Sequence, residues 1–250
     1  LTAEDTKVTV SYSEGGVDLP EDIAIEVLTL KEAMQRARTA YYKFDGSLEN
    51  EVTGGSAVVT VVDAENHKET GTTSLTETGV AGTALSLNSA IGEGVKLDTT
   101  VDTANYTISM WVKASDLNVA TQGNFPPILY GKEGNNYMIW YGLYGAADRF
   151  TIRTEIEGNR NEFPVQTNVI EQGKWKMLTL AVEGQSAKFY VDGEPLINDG
   201  TLHNFFEGKT TELYLGTGPW DKTFVGAYDE LSIYNTALNG KQIKILYNEI

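Results

Sequence analysis

The chain has 250 residues, of which 41% are hydrophobic, so it can form one large domain or two modest ones with a sizeable core. Its 19 Lys and Arg residues against 35 Asp and Glu residues give a formal net charge of −16. This charge disfavours nucleic acid and anionic membranes as partners, because both present phosphate groups. The absence of cysteine excludes disulfides and thiolate metal sites, and no apolar run reaches the roughly 20 residues that a transmembrane helix needs.

The first forty residues combine a strand pattern with a helix pattern. Residues 7–12 alternate as a strand does, and a turn sequence follows at 13–16. Thr29 and Glu32 have the spacing of a capping box, and an apolar stripe then predicts a short helix at about 30–38. We interpret residues 1–40 as a linker or the end of an upstream domain. The alternative is that the strand at 7–12 joins the edge of the main sheet.

From Tyr41 onward, short runs rich in Val, Thr and aromatic residues alternate with turns that contain glycine. The Asp-Gly pair at 192–193 predicts a hairpin. This spacing predicts an all-β fold, a two-sheet antiparallel β-sandwich, with a last helix at 241–248 capped by Asn239. The predicted strands are 57–62, 84–88, 95–97, 107–113, 128–130, 137–144, 149–156, 176–183, 187–191, 212–215 and 227–234.

Six segments match a known family in order and spacing. They are YKFDG at 42–46, GTALSLN at 82–88, YTISMWVK at 106–113, GKWKMLTL at 173–180, KFYVDG at 188–193 and FVGAYDELSIYNTAL at 224–238. Residues 41–250 thereby resemble the laminin-G-like, concanavalin A-like lectin/glucanase jelly rolls of bacterial surface proteins and polysaccharide-degrading enzymes. The resemblance implies two stacked antiparallel sheets, the inner one concave. It also implies a module that usually binds carbohydrate, sometimes protein, and often holds one calcium ion.

Catalytic members of that superfamily carry Glu-x-Asp-x-x-Glu on one strand, and no Glu-x-Asp occurs in this chain. Glu155 and Glu157 share a strand parity, so a carboxylate pair stays geometrically open. Surface charge beside a turn is the favoured interpretation of these two residues. We therefore expect a noncatalytic protein.

A metal site would suit calcium, because the chain offers carboxylates and loop carbonyls but no thiolates. By resemblance, the calcium ligands are Asp45, Asn88 and Asp229. The alternative for Asp45 and Asn88 is turn capping, and for Asp229 it is a structural hydrogen bond.

Glycan binding requires aromatic platforms beside hydrogen-bonding groups, because sugars present apolar C–H faces ringed by hydroxyls. In segment 149–156, alternation turns Arg153 and Glu155 outward. In segment 137–144 both alternating sets are apolar, and we expect Trp140 and Tyr144 to face outward. A flipped register would present Tyr137 and Tyr141 instead. Trp220, in a Gly-Pro loop, is a further exposed candidate.

The sequence thus predicts an extracellular carbohydrate-binding module of a bacterial surface, part of a larger protein, that targets a parent enzyme or adhesin to a glycan. The predicted ligand-binding residues are Trp140, Tyr144, Arg153, Glu155 and Trp220. The alternatives are an adhesin module that binds protein and a glucanase-like hydrolase. The acidic surface favours neutral sugars, although the arginines at 149, 153 and 160 leave an acidic sugar open.

Overall fold

A computed structural model describes residues 6–14, 17–25, 28–60, 73–87, 93–115, 125–144, 147–163, 166–167, 169–220 and 223–250. The chain divides into two compact units, residues 1–37 and residues 38–250. This division lies close to the predicted boundary at residue 40, and it falls earlier because residues 38–42 already pair as a strand of the second unit.

The first unit contains a hairpin and a short helix. Strand β1 (Thr6–Glu14) pairs antiparallel with β2 (Val17–Ile25) in a two-stranded sheet. The sequence did not predict β2, because Pro20 cannot donate to a ladder and indicates a break. Helix α1 (Leu30–Ala37) begins with the predicted capping box, in which the Glu32 N–H donates to Thr29 Oγ1 at 3.2 Å.

The second unit is a sandwich of two antiparallel sheets followed by a helix, α2 (Gly240–Asn248). Its described strands are β3 (Arg38–Tyr42), β4 (Val58–Thr60), β5 (Thr73–Thr78), β6 (Thr83–Leu87), β7 (Gly94–Lys96), β8 (Asn105–Ala114), β9 (Pro127–Glu133), β10 (Asn136–Tyr144), β11 (Ala147–Ile156), β12 (Asn159–Glu162), β13 (Gln166–Thr167), β14 (Trp175–Glu183), β15 (Ser186–Val191), β16 (Glu194–Thr201), β17 (Glu212–Leu215) and β18 (Gly226–Tyr234).

The sheet order brings together strands that are distant in the sequence. Among the described residues, the first sheet has eight strands in the order β12-β11-β10-β9-β17-β7-β4, with β13 paired to β11. The second sheet, counted over the same residues, has eight strands in the order β16-β15-β14-β8-β18-β6-β5, with β3 paired to β18. Strand β17 therefore lies beside β9, although about eighty residues separate them.

The hydrophobic core lies between the two sheets. Trp140 of the first sheet meets Phe189 of the second edge to face, with ring centroids 6.2 Å apart. Phe150 stacks on the same Phe189 ring at 4.7 Å. Such packing places one alternating set of each strand in the core and leaves the other set on an outer face, as a two-layer sandwich requires. The predicted all-β jelly-roll sandwich is confirmed.

The last helix covers part of the outer face of the second sheet. The Asn239 side chain accepts hydrogen bonds from the backbone of Lys241 and Gln242, so the predicted cap is confirmed. Tyr247 of α2 stacks on Trp111 of β8, with centroids 5.5 Å apart.

Candidate functional site

In strand β10, the alternating side chains point in the opposite directions to those we expected. Trp140 is 0% exposed and lies in the core, so the prediction that it faces outward is wrong. Both alternating sets of β10 are apolar, and the larger indole fills the space between the sheets against Phe150 and Phe189. The flipped register holds instead, and Tyr137 and Tyr141 lie on the outer face. The side chain of Tyr144 lies outside the described part of the chain.

The outer face of the first sheet carries a cluster of aromatic side chains, which we call the aromatic face. It is a contact group separate from the core between the sheets. Three adjacent strands, β10, β9 and β17, contribute its side chains. The members are Tyr130, Tyr137, Ile139, Tyr141 and Tyr214, with Phe125 packed against them.

The strand register explains why these side chains meet. Ile139 of β10 lies directly opposite Tyr130 of β9, and Tyr130 lies directly opposite Tyr214 of β17. Directly opposed side chains on one face are close enough to contact each other, and the Tyr130 and Tyr214 rings have centroids 6.0 Å apart. Sequence analysis missed Tyr130 and Tyr214. The alternation Glu212-Leu213-Tyr214-Leu215, with both leucines in the core, was the available signal.

Trp220 stands over the aromatic face and is its most exposed ring. Its side chain is 61% exposed, as the Gly-Pro loop predicted. Its ring meets Tyr137 edge-on at 5.0 Å and Tyr130 at 6.4 Å. Together these rings wall a shallow cavity of about 300 Å³ lined by Tyr130, Lys132, Gly134, Asn135, Tyr137, Pro219 and Trp220.

Each of three tyrosines on this face donates its hydroxyl hydrogen to a glutamate. Tyr137 donates to Glu155 at 2.8 Å. Tyr141 donates to Glu162 at 3.2 Å, and Tyr214 donates to Glu212 at 2.8 Å. The three carboxylates are held by donors from the protein itself.

Each of these glutamates also pairs with a cation. Arg153 makes three nitrogen–oxygen contacts of 3.1 to 3.2 Å with Glu162. The Arg160 Nε donates to Glu155 at 3.2 Å, and Lys96 forms an ion pair with Glu212. Arg153 and Glu155 are thus on the outer face, as alternation predicted, but they belong to two different ion pairs.

The electrostatics of the face keep the tyrosines neutral and the glutamates charged. Burial, followed by the hydrogen bond to Glu155, raises the pKa of Tyr137. Burial raises the pKa of Tyr130 to about 12. The hydrogen bond from Tyr137 lowers the pKa of Glu155, and the ion pair with Lys96 lowers the pKa of Glu212. The face therefore presents phenol donors and carboxylate acceptors at neutral pH.

The carboxylates at 155 and 157 lie at the end of β11 and in the turn after it. The hydrogen bond from Tyr137 and the Arg160 guanidinium hold the pKa of Glu155 below its ordinary value, so Glu155 is an ionised partner of both residues. Glu157 has a φ of 52° in the turn that follows β11, and its backbone N–H donates to Asn136 Oδ1 at 2.8 Å. Both residues fit surface charge beside a turn.

Asp229, a predicted calcium ligand, is a fully buried carboxylate at a bulge of β18. Its Oδ2 accepts backbone N–H bonds from Val80 at 2.8 Å and Ala81 at 3.2 Å, and its Oδ1 accepts one from Glu230. Burial raises its pKa to about 7 despite these donors. N–H groups turn their positive ends toward the carboxylate, so this geometry fits a hydrogen-bonded clamp on the loop after β5.

Of the other two predicted calcium ligands, only Asp45 lies within the described residues. Asp45 holds the same loop, because its Oδ1 accepts the Thr83 N–H at 2.8 Å. Asn88 lies outside the described residues. Across the described part of the chain, no group of three or more His, Cys, Asp or Glu residues is placed to hold a metal ion. Calcium binding stays a prediction.

A comparison with protein families identifies the fold family. A laminin G family profile, described as concanavalin A-like lectin/glucanases superfamily, matches residues 89–244, which is more than half of the chain. The chain belongs to this superfamily. The resemblance seen in the sequence motifs is thereby confirmed.

Relatives of this laminin G-like domain occur in larger proteins. Domain 4 of AbnA, a GH43 extracellular arabinanase from Geobacillus stearothermophilus solved with arabinotriose, is 25% identical, has a TM-score of 0.66, and is matched over 84% of this chain and 98% of that domain. Adhesion G-protein coupled receptor V1 of Danio rerio is 26% identical over 157 residues, which are 58% of this chain. The chain spans only 2% of that receptor's length.

A more distant structural neighbour, a neurotoxin, shares only the fold with this chain. Botulinum neurotoxin type C, whose cell entry depends on interaction with two ganglioside molecules, is 11% identical with a TM-score of 0.65, over 88% of this chain and 52% of the toxin chain. No helix within the described residues of this laminin G-like domain has the length and apolar character to cross a membrane.

Proposed function

We propose that this laminin G-like domain is a noncatalytic, extracellular carbohydrate-binding module and that Trp220, with the cavity beside it on the aromatic face, is its binding surface. The exposed Trp220 ring above Tyr137 and Tyr130 carries this proposal. Trp220 stays 61% exposed although it packs edge-on against Tyr137, so most of the indole is open to a ligand. A sugar ring stacked there would cover the indole with its C–H face.

The polar groups around the rings suit sugar hydroxyls. Lys132 and Asn135 line the cavity beside Trp220, and the Tyr137–Glu155 pair lies next to it. Glycan sites combine a few fixed hydrogen-bonding groups with apolar walls in this way. Because ion pairs and hydrogen bonds hold Glu155 and Glu162 in place, little side-chain entropy would be lost on binding.

The relatives support a binding role within a larger protein. The AbnA domain, a separate domain of an extracellular enzyme, was solved with arabinotriose and is matched over nearly its whole length. By analogy, this module would target a parent enzyme or adhesin to a glycan outside the cell. The alternative is an adhesin module that binds protein, and one relative is an adhesion receptor.

Glycan-array screening followed by titration calorimetry tests the proposal. We expect Trp220→Ala to weaken binding of the best glycan at least about tenfold, because central aromatic contacts commonly contribute about 2 kcal/mol or more. Tyr247→Ala is the matched control, because it removes an aromatic ring from the outer face of the second sheet. Affinity that survives both Trp220→Ala and Tyr137→Ala would show that the sugar binds elsewhere. No glycan signal at millimolar ligand, with binding to a protein, would favour the adhesin alternative.

A further inference from the structure

Of the described residues that line the cavity beside Trp220, Lys132 is the only charged one. It lies on β9, directly opposite Tyr137 of β10 and Glu212 of β17. The side chain is half-buried, and within the described part of the chain it forms no hydrogen bond or ion pair. Charged groups that lose part of their water are normally paired, so a half-buried ammonium group without a partner can bind a negatively charged ligand.

The glutamates nearest to Lys132 in the ladder are bound by other cations. Glu155 pairs with Arg160, and Glu212 pairs with Lys96. The hydrogen bond from Lys96 is the main cause of the lowered pKa of Glu212, and Lys132 adds only the effect of its charge at longer range. The carboxylates on this part of the face are therefore already neutralised, whereas the charge of Lys132 stays open to a ligand.

Trp220 supplies the apolar wall of the same cavity. Its ring lies at 69° to the Tyr137 ring and at 76° to the Tyr130 ring, so neither tyrosine stacks on it. Both tyrosines are buried and Trp220 is 61% exposed, so the indole is the one of these three rings that a sugar can cover. The cavity volume of about 300 Å³ is at the small end of the range for ligand sites, which suits one sugar residue.

The net charge of −16 does not decide the charge of the ligand. Charges more than about 8 Å apart are largely screened at physiological ionic strength, whereas a half-buried pair is screened much less. The sequence left an acidic sugar open through the arginines at 149, 153 and 160. Arg153 and Arg160 are bound by glutamates instead, and the side chain of Arg149 lies outside the described residues. Lys132 is therefore the cation that can decide the charge preference.

We propose that the sugar bound beside Trp220 carries a carboxylate and that the ammonium group of Lys132 binds it, an inference that rests on the proposed carbohydrate-binding function. Uronic acids and sialic acids are sugars with this chemistry. The indole covers the apolar face of the sugar ring. The side-chain amide of Asn135, which bonds to no described residue, is a further group for the sugar hydroxyls. A hydrogen bond between an ammonium group and a carboxylate is about twice as strong as a neutral one.

The test compares a sugar acid with its own methyl ester, in which a methyl group replaces the negative charge. Titration calorimetry with glucuronic, galacturonic and N-acetylneuraminic acid should show at least about tenfold tighter binding of one acid than of its ester. Binding of neutral glycans alone, or equal affinities within every pair, overturns this inference and leaves the proposed function intact. Binding of no glycan at all overturns both.

Variants of Lys132 make the test sharper. Lys132→Met removes the charge and keeps an unbranched side chain, so the preference for the acid over the ester should disappear, whereas Lys132→Arg should keep it. Lys188→Met is the control with the same change in net charge, because Lys188 is exposed on β15 of the second sheet. Thermal melting of the three variants checks folding. A preference for the acid that persists in folded Lys132→Met overturns the inference.

Discussion

The two outer faces of the sandwich both carry aromatic residues, but they differ in which ring reaches solvent. On the second sheet, Trp111 lies under Tyr247 of α2, and the neighbouring Ser109 and Thr179 are buried and bonded to each other at 2.7 Å. On the first sheet, Tyr130, Tyr137 and Tyr214 are only 4–7% exposed, whereas Trp220 beside them is 61% exposed. An outward aromatic residue therefore indicates a binding surface only where its own ring stays exposed.

Trp140→Ala tests the core side of β10 and should cause the largest loss of stability. The substitution leaves a cavity beside the stacked pair Phe150 and Phe189, so we expect a loss of about 3–5 kcal/mol in the free energy of unfolding by urea denaturation. Tyr137→Ala, on the outer face, should cost distinctly less. Equal losses in the two variants would contradict the assignment of faces in β10.

The pH dependence of stability should report on Asp229, which lies opposite Trp111 in the second sheet. Its pKa of about 7 in the folded protein exceeds the value near 4 of an unfolded aspartate, so the folded state binds the proton more tightly. The stabilisation is complete below about pH 4 and is lost as the pH rises through 7. Relative to Asp229→Asn, the wild type should lose about 2–3 kcal/mol between pH 5 and pH 8 in denaturation experiments.

The pH dependence of stability also tests whether Asp229 binds calcium. If Asp229 bound the ion, the carboxylate would be ionised, and acidification would lower rather than raise stability. Removing calcium with a chelator should leave the melting temperature unchanged if backbone hydrogen bonds alone hold Asp229. A fall of several degrees would support the calcium site predicted from the family resemblance.

Tyr247→Ala uncovers the second sheet and should cost about 1–2 kcal/mol, because it removes one stacked ring pair and its buried area. Thermal melting measures this loss. If the comparison of the two faces is right, glycan affinity stays at the wild-type value. A glycan affinity that falls with Tyr247→Ala would move the binding surface to the second sheet.

Glu155→Gln should have the smallest effect on stability, since its pairing with Arg160 is a surface ion pair. The variant also tests the glucanase alternative. Incubation of the wild type with β-glucans and arabinan should release no reducing sugar. Release that disappears in Glu155→Gln would establish an enzyme.

The features that could be predicted from the sequence are those that local patterns determine. Most strands, both helices, the capping box at Thr29 and the cap at Asn239 follow from alternation, helical periodicity and turn residues near each element. The exposure of Trp220 and the outward direction of Arg153 were predictable for the same reason.

The register of β10 was not predictable, because both of its alternating sets are apolar and only the space between the sheets selects Trp140 for the core. The aromatic face was not predictable either. Its members come from β9, β10, β17 and the loop after β17, and their contact depends on strand order, which no local pattern encodes.

The contrast between Trp140 and Trp220 also gives the protein an internal optical probe. Of its four tryptophans, Trp140 is sealed in the core, whereas Trp220 is 61% exposed at the proposed ligand surface. A collisional quencher such as acrylamide should therefore reduce the emission of Trp220 more than that of Trp140. Ligand that shields this indole would shift the emission to shorter wavelength, so occupancy of the aromatic face can be followed in real time without a label.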